Sequence, residues 1–471
     1  MSVGRQILKN TFSLTAAELA GKGLAIIFTI YLIRVIGPAN NGVFTLAKSF
    51  VQGLLVLVWL GFEQVGVREV ARDRSQMQYY VGSVLSIRLT IATTCYILLV
   101  AGLELFADIG NIDINTRIVA YIYGLLLFGN AVLLNWVFQA IERMHIIAIR
   151  SVLVNLLNLL GLIIFVRHEN DLITAVWIIV ISMLLNSAWM LIYYIKSYGM
   201  PKLNFNIPSW GNMFWQSARV GFVFLIVTFY SIIGVQVLSY YHGDVQTGIY
   251  GAAFQIIVFL LIPAGILQGA FFPQFAKTNG IEERNKIVSR FVVINLIAGV
   301  IMSFSLYVFS PAVVAVLGEK YAESQAILKY LSLTVLIQYI STSFMSPLIA
   351  WNNEKIVIYA NLAGLAANII FNFLLIPQYG YIGAAIATIV CELAVMIVIM
   401  FIYRRLQSSL FIKNLLSVIM TGIPAFLLGY TLIEAGMNIY LAFIINLAVF
   451  LGLILLLKII KISEIKSLIS R

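Results

Sequence analysis

Four basic side chains lie within stretches of sequence that are otherwise strongly apolar: Lys22, Lys48, Arg88 and Arg219. A cation in hydrocarbon costs at least about 2.5–3.5 kcal/mol on insertion scales, so such residues generally face protein or water. Arg holds phosphate oxygens through paired hydrogen bonds, and Lys holds them as a compact point charge. These residue types predict a cationic cavity that binds an anion of the pyrophosphate class.

The alternative for each cation is a structural role. Lys22 follows Glu18 by four residues on one polar stripe of a helix, so the two also fit a self-neutralised ion pair. Lys48, Arg88 and Arg219 lie near span ends, where long side chains also extend to the membrane surface. Three acids are candidate coupling or cavity residues: Glu18, Glu63 and Glu392. Because the cations outnumber these acids, the interior is predicted to be net positive.

Neutral residues offer fewer candidates. Asn361 and Asn368 fall on one face of a predicted helix, where amides contact sugar hydroxyls or, as the alternative, hydrogen-bond to neighbouring helices. Cys95 and Cys391 lie in distant apolar runs, which argues against a disulfide or a metal site. The three histidines lie in connections, without metal-ligand spacing. No catalytic motif is present, so neither an enzyme nor a cofactor is predicted.

The elements that hold these residues are predicted to be membrane helices. The chain has 471 residues, of which 62% are hydrophobic and 10% charged, and its mean hydropathy is +1.00. Runs of about 20 apolar residues suit a hydrocarbon layer of roughly 30 Å, in which helices satisfy their own backbone hydrogen bonds. About 14 such runs are present, which predicts an all-α polytopic membrane protein. Among them are spans at 43–65 and 118–138.

Charge placement predicts the orientation of these helices. With the N-terminus in the cytoplasm, most of the 30 Lys and Arg fall in cytoplasmic connections, as the positive-inside rule requires. Both termini are therefore predicted to be cytoplasmic. The net charge of +11 is largely accounted for by this topology, so no nucleic acid partner is expected.

A repeated string divides the chain. GPANNGVF at 37–44 returns as GDVQTGIY at 243–250, with a constant offset of 206 residues. Gly37 then matches Gly243 and Gly42 matches Gly248, and both pairs are candidate hinges of an external gate. The repeat predicts two lobes, 1–200 with helices 1–6 and 201–405 with helices 7–12. Residues 406–471 supply helices 13–14 and a cytoplasmic tail. Parallel repeats of this kind are a known transporter plan; chance recurrence of glycines at helix ends is the alternative.

The chain also resembles a known family. The residues that carry the resemblance are RVIGPANNGVF at 34–44, REVAR at 68–72, FQAIERM at 138–144, GDVQTGIYGAA at 243–253, LGEKYAES at 317–324 and NFLLIPQYGYIGAAIAT at 372–388. Together they resemble the polysaccharide and O-antigen flippases of the multidrug/oligosaccharidyl-lipid/polysaccharide exporter superfamily. The resemblance implies two six-helix lobes in a V shape with two further C-terminal helices, which alternate between inward-open and outward-open states.

The resemblance further implies a function. Family members move undecaprenyl-pyrophosphate-linked oligosaccharides from the cytoplasmic to the outer leaflet of the cell membrane, and several hold the pyrophosphate in a cationic cavity. The implied partners are that substrate, membrane lipids, and the polysaccharide polymerase and chain-length proteins of the pathway. Two other functions stay open: a cation-coupled multidrug exporter of the same superfamily, and a membrane polymerase or ligase of the same pathway.

Overall fold

The computed structural model describes residues 3–205, 207–278, 280–407 and 412–459, and the side chain of Glu18 lies outside the described residues. Within these ranges all longer elements are α-helices, with three short 3₁₀ turns and no strand. The helices are α1 (Val3–Trp59), α2 (Phe62–Arg72), α3 (Met77–Phe106), α4 (Ile114–Gly124), α5 (Leu126–Val132), α6 (Asn135–Ala140), α7 (Met144–Phe165), α8 (Leu172–Tyr198), α9 (Ile207–Leu260), α10 (Ile262–Lys277), α11 (Ile281–Val308), α12 (Ser310–Leu317), α13 (Ser324–Ala350), α14 (Glu354–Gln407), α15 (Ile412–Glu434) and α16 (Ile439–Leu456).

Eleven stretches of the described residues are long and apolar enough to cross a membrane. Three of these stretches, Ala20–Arg72, Phe224–Lys277 and Glu354–Leu406, contain 53 or 54 residues. At about 1.5 Å per residue each exceeds twice the roughly 30 Å of hydrocarbon, so each has the length for two passes. The chain is thus an all-helical, multi-span membrane protein, as the sequence predicts. The total of 14 spans and the side of the termini remain predictions.

Each of the three longest helices is interrupted by one glycine. Gly37 in α1 has φ 73° and ψ 171°, Gly243 in α9 has φ 73° and ψ −169°, and Gly380 in α14 has φ 53° and ψ −133°. For Gly37 and Gly243, positive φ with ψ near 180° is open essentially to glycine alone. Gly380 also has a positive φ, which residues with a Cβ rarely adopt. Pro38 then begins the next helical stretch, a position where its missing N–H is not needed. The connection between helices is therefore a single residue, shorter than the repeated string suggested.

The chain divides into two compact units, Met1–Gly248 and Ile249–Arg471, so the division falls inside α9. The boundary between lobes predicted near residue 200 is a different division of the chain, and it remains a prediction. In the first unit, one cluster of buried side chains includes Ile36, Val51 and Leu127, and a second includes Phe62 and Trp136. In the second unit, Phe291, Leu331 and Phe344 are among the fully buried side chains.

Two predicted spans of the first unit are broken in the structure. The span at 43–65 ends at Trp59, because Leu60 and Gly61 adopt positive φ values of 27° and 78° before α2 begins. Glu63 therefore does not continue the helical face of Lys48, which was the expectation from spacing. The span at 118–138 is divided into α4, α5 and α6, with an extended backbone at Leu133. Neither break carries a proline.

Candidate functional site

A cavity of about 440 Å³ lies within the first unit. Helices α1, α4, α5, α7, α8 and α9 contribute to its wall, and the described lining contains no charged side chain. Its volume falls in the range of about 300–1,000 Å³ that is common for small-molecule sites. Asn158 is buried in this wall, and no described residue lies in hydrogen-bond reach of its Oδ1. The polar and aromatic lining residues are Gln52, Trp59, Tyr123, Asn130, Asn158, Thr228 and Ser231.

An ion pair of Arg88 and Glu63 is connected to the wall of this cavity through Asn130. Arg88 is fully buried, and its Nη1 lies 3.5 Å from Oε1 of Glu63, whose side chain is 34% exposed. Arg88 Nη2 also donates to the carbonyl oxygen of Asn130 at 2.7 Å, and Nη1 donates to that of Leu133 at 3.5 Å. These carbonyls lie at the end of α5, where a cation stabilises the helix C-terminus. In this state the guanidinium of Arg88 is thus held by protein groups.

Arg150 is a further cation close to the cavity wall, and spacing alone did not single it out. It lies on α7 one turn before Val154, which lines the cavity. Its Nε is buried and has no hydrogen-bond acceptor among the described residues, and the same is true of Arg88 Nε. Arg150, Val154 and Asn158 follow one another at intervals of four residues, so they share one face of α7. This pattern is informative only when the residues that line the cavity are known.

The other three predicted cations occupy different places in the first unit. Lys22 is half-buried on α1, next to Gly21, where a Cβ would lie 2.7 Å from Ser151 Oγ. Gly21 and Ser151 thus form a close α1–α7 contact, and Lys22 and Arg150 are the residues next to them in sequence. Lys48 is half-buried one turn before the cavity-lining Gln52, and Arg219 is exposed on α9. None of the predicted cations lines this cavity, and their joint binding of pyrophosphate remains a prediction.

The glycines of the repeated string meet inside the first unit. A Cβ on Gly42 would overlap the carbonyl oxygen of Asp244, and a Cβ on Gly248 would overlap that of Pro38. Pro38 of the first copy of the string corresponds to Asp244 of the second, at the offset of 206 residues. The glycine of each copy therefore contacts the same position of the other copy, so the two contacts are symmetric. Asn41 Nδ2 adds a buried hydrogen bond of 2.7 Å to the carbonyl oxygen of Gly248. The two glycine turns therefore pack backbone against backbone.

The candidate residues of the second unit are buried. Glu392 accepts a hydrogen bond of 2.8 Å from Gln338 Nε2, which is the partner that the sequence did not reveal. Asn361 donates to its own helix at Val357, and Asn368 accepts from Asn372 Nδ2 at 2.7 Å. These contacts fit the helix-packing alternative, and sugar binding by Asn361 and Asn368 remains a prediction. The described residues hold no group of three His, Cys, Asp or Glu side chains that could bind a metal.

Comparison with known proteins places this helical chain in a family. The sequence profile described as "Polysaccharide biosynthesis protein" matches residues 7–279, which is more than half of the chain. The chain belongs to this polysaccharide biosynthesis family. A "Putative O-antigen transporter" of Shigella dysenteriae is 26% identical over 360 residues, covering 74% of this chain and 88% of that protein. The "Capsular polysaccharide biosynthesis protein CapF" of Staphylococcus aureus is 22% identical over 407 residues, covering 85% and 100%.

Solved structures show the fold of this polysaccharide biosynthesis protein. The structure described as "Lipid II flippase MurJ, inward closed conformation" matches with a TM-score of 0.72 at 14% identity, covering 94% of this chain and 98% of that one. An inward-facing multidrug transporter of the MATE family, itself of the MOP superfamily, matches with a TM-score of 0.64 at 15% identity, covering 84% and 95%. The family member thus has a helical fold like that of these two structures, and the two six-helix lobes in a V shape remain a prediction.

Proposed function

We propose that this chain moves undecaprenyl-pyrophosphate-linked oligosaccharide repeat units from the cytoplasmic to the outer leaflet. The observation that carries the proposal is the family match over residues 7–279 together with relatives named for O-antigen transport and capsule synthesis. The predicted excess of intramembrane cations over acids supports an anionic headgroup. The helical fold shared with a lipid flippase supports movement of a lipid-linked substrate.

The mechanism that we propose is alternating access. The pyrophosphate contacts Lys22 and Arg219, with Lys48 further along the route, while the polyprenyl tail stays in the bilayer. Arg88 is buried against carbonyl oxygens here, so its contact with substrate requires a rearrangement of the Glu63 pair. The touching glycine turns at 37–42 and 243–248 act as an external gate, which separates when the headgroup leaves. The polymerase and chain-length proteins of the pathway then receive the repeat unit.

The cationic contacts can be tested by export. Lys22→Ala and Arg219→Ala should each lower surface glycan about tenfold or more, because a hydrogen bond to a charged group is worth about 1.5–3 kcal/mol. Lys202→Ala is the matched control, since Lys202 is an exposed cation that precedes α9. Surface glycan would be measured at equal protein levels, together with lipid-linked repeat units on the cytoplasmic face. Full export by both variants would remove Lys22 and Arg219 from the site.

A cation-coupled multidrug exporter is the second candidate, because a MATE transporter shares the fold. A deletion strain distinguishes the two functions. The flippase proposal expects accumulation of lipid-linked repeat units with unchanged drug tolerance. Broad drug sensitivity with normal surface glycan would support the multidrug exporter. A membrane polymerase or ligase would instead show glycan polymerisation or transfer by the purified protein.

A further inference from the structure

A groove of about 570 Å³ lies within the second unit and is lined by residues of α11, α13, α14 and α15. A hydrogen bond of 2.6 Å from Ser303 Oγ to the carbonyl oxygen of Ser332 joins α11 to α13. An edge-to-face contact joins α11 to α15, with the ring centroids of Phe304 and Phe426 5.3 Å apart. These four residues all line the groove, so α11 forms its floor and it opens between α13 and α15. We call it the α13–α15 groove.

The mouth of the α13–α15 groove lies at the helix ends that are predicted to face outward. Tyr307 lies in the last turn of α11, Lys329 in the second turn of α13 and Tyr430 about one turn before the end of α15. Tyrosines at this depth are typical of the membrane surface. The lining residues Leu336 and Ile423 lie two turns deeper, about 10 Å at 1.5 Å per residue. The groove therefore extends from the outer membrane surface into the hydrocarbon layer.

The sides of the groove are open to the bilayer. Leu333 of α13 and Leu427 of α15 line it and are 46% and 59% exposed. Within a membrane-spanning helix, exposed apolar side chains contact lipid chains. A packed helix is about 10–12 Å across, so a length of about 10 Å of helix exceeds the volume of the groove. A single acyl chain is a better fit to this volume than a helix of a second protein.

Two charges of opposite sign are attached to the tyrosines of the mouth. Lys329 Nζ lies 5.7 Å from the ring centroid of Tyr307, within cation–π distance. The Tyr430 hydroxyl hydrogen-bonds to the carboxylate of Glu434, the last residue of α15. Among the described residues, no carboxylate lies within ion-pair distance of Lys329. The mouth thus offers a cation for a phosphate and, beside the other tyrosine, an anion for an ammonium group.

We propose that the α13–α15 groove binds a phospholipid of the phosphatidylethanolamine class from the outer leaflet. One acyl chain lies between α13 and α15, the phosphate contacts Lys329 and the ammonium group contacts Glu434. Lys has three N–H donors for phosphate oxygens, and a primary ammonium donates in the same way to a carboxylate. Basic pockets between membrane helices are a known mode of headgroup binding. The groove shares no lining residue with the cavity of the first unit, so this lipid is a ligand in addition to any transported substrate.

The headgroup contacts can be tested by native mass spectrometry of the purified, delipidated full-length protein in detergent. The unchanged protein should bind dioleoyl phosphatidylethanolamine about tenfold more tightly than dioleoyl phosphatidylglycerol, which has the same chains but no ammonium group. Lys329→Gln should weaken binding of phosphatidylethanolamine about tenfold, and Glu434→Gln should abolish the preference for it over phosphatidylglycerol. Lys320→Gln and Glu319→Gln are the controls, because both residues are exposed in the connection before α13 and do not line the groove.

Equal affinity of Lys329→Gln and Lys320→Gln would overturn the proposal, as would a preference for phosphatidylethanolamine that survives in Glu434→Gln. A bound lipid should also raise the midpoint of thermal unfolding, because it binds only the folded protein. This rise should be smaller for Lys329→Gln than for Lys320→Gln. Equal rises would contradict a site at Lys329.

The place of the acyl chain is tested by filling the groove. Ile423→Trp should weaken lipid binding, whereas Ile444→Trp on α16, at an exposed position outside the groove, should not. Equal binding by the two variants would exclude the chain from the groove. If Ile423→Trp does not elute as a folded protein, glycerophosphoethanolamine, which has no chains, replaces it as the probe. Binding of this probe as tight as that of the dioleoyl lipid would equally overturn the proposal.

Other occupants give different results in the same experiment. Displacement of phosphatidylethanolamine by an equal concentration of undecaprenyl phosphate, unaffected by Glu434→Gln, would overturn the phospholipid assignment in favour of an isoprenoid chain. A dimer that Ile423→Trp converts to a monomer, with no lipid retained by the unchanged protein, would overturn it in favour of a second copy. Since lipid binding is measured without export, failure of the flippase proposal in the glycan assay leaves this result unaffected.

Discussion

Arg88 is a buried charge whose hydrogen bonds support the wall of the cavity. Its guanidinium binds the carbonyl oxygens of Asn130 and Leu133, at the point where the helix of α4, α5 and α6 is broken. Broken membrane helices leave backbone groups that need partners within the protein. Arg88 supplies those donors while Glu63 supplies part of its counter-charge. We infer that Arg88 stabilises the wall of the cavity at the α5–α6 break.

Replacement of Arg88 should therefore reduce stability more than replacement of the other predicted cations. Arg88→Met removes the donors to the two carbonyl oxygens, and a buried unsatisfied group costs about 1–3 kcal/mol. We expect a lower midpoint of thermal unfolding in detergent for Arg88→Met than for Arg219→Met, because Arg219 is exposed. Equal midpoints for the two variants would show that Arg88 does not support the α5–α6 break.

The sequence predicted the presence of these cations but not their surroundings. An isolated Arg in an apolar run indicates a protein or water-facing position, which Arg88 has. Its acceptors could not be predicted, because the break at Leu133 has no Pro or Gly that would mark it. The position of Arg150 one turn before the cavity-lining Val154 could not be predicted either, because it depends on how α7 packs against its neighbours.

At the scale of elements, single glycines organise the longest helices. The repeated string predicted the equivalence of Gly37 and Gly243, and the two residues share φ 73° with ψ values 20° apart. Gly380 plays the same part in α14 but was not recognised as a third copy. In α14 the next glycine in close backbone contact is Gly383, three residues after Gly380. In the two copies of the string, the corresponding glycines, Gly42 and Gly248, come five residues after the turn glycine. The altered spacing hides the third turn from a comparison at fixed offset.

Side chains at the touching glycines should impair both packing and export. Gly42→Val and Gly248→Val each place a Cβ on a backbone carbonyl oxygen, and overpacking of this kind costs about 1–3 kcal/mol. We expect each variant to lower surface glycan at matched protein levels. Gly102→Val is the control, because a Cβ on Gly102 of α3 meets no atom within 4 Å. Unchanged export by both variants would limit the contact to a dispensable packing role.

At the scale of the whole molecule, the remaining question is the orientation in the membrane. Charge placement predicts cytoplasmic termini. This orientation determines which end of the first-unit cavity faces the cytoplasm. The ion pair of Glu63 and Arg88 lies toward the end of the first unit that is predicted to face the cytoplasm. An entry site for a headgroup made in the cytoplasm requires that orientation. The reverse orientation would place the same ion pair at the end of the unit that faces outward.

Cysteine labelling can determine the orientation with little background, because the native Cys95 and Cys391 are 3% and 1% exposed. New cysteines would be placed at exposed positions on both predicted sides in both units. With a membrane-impermeant maleimide on spheroplasts, we expect labelling at the external pair and none at the cytoplasmic pair until the membrane is opened. Labelling of the cytoplasmic pair in sealed spheroplasts would reverse the topology and the direction of headgroup entry. The external variants are Asp108→Cys and Ala435→Cys, and the cytoplasmic variants are Gln76→Cys and Lys355→Cys.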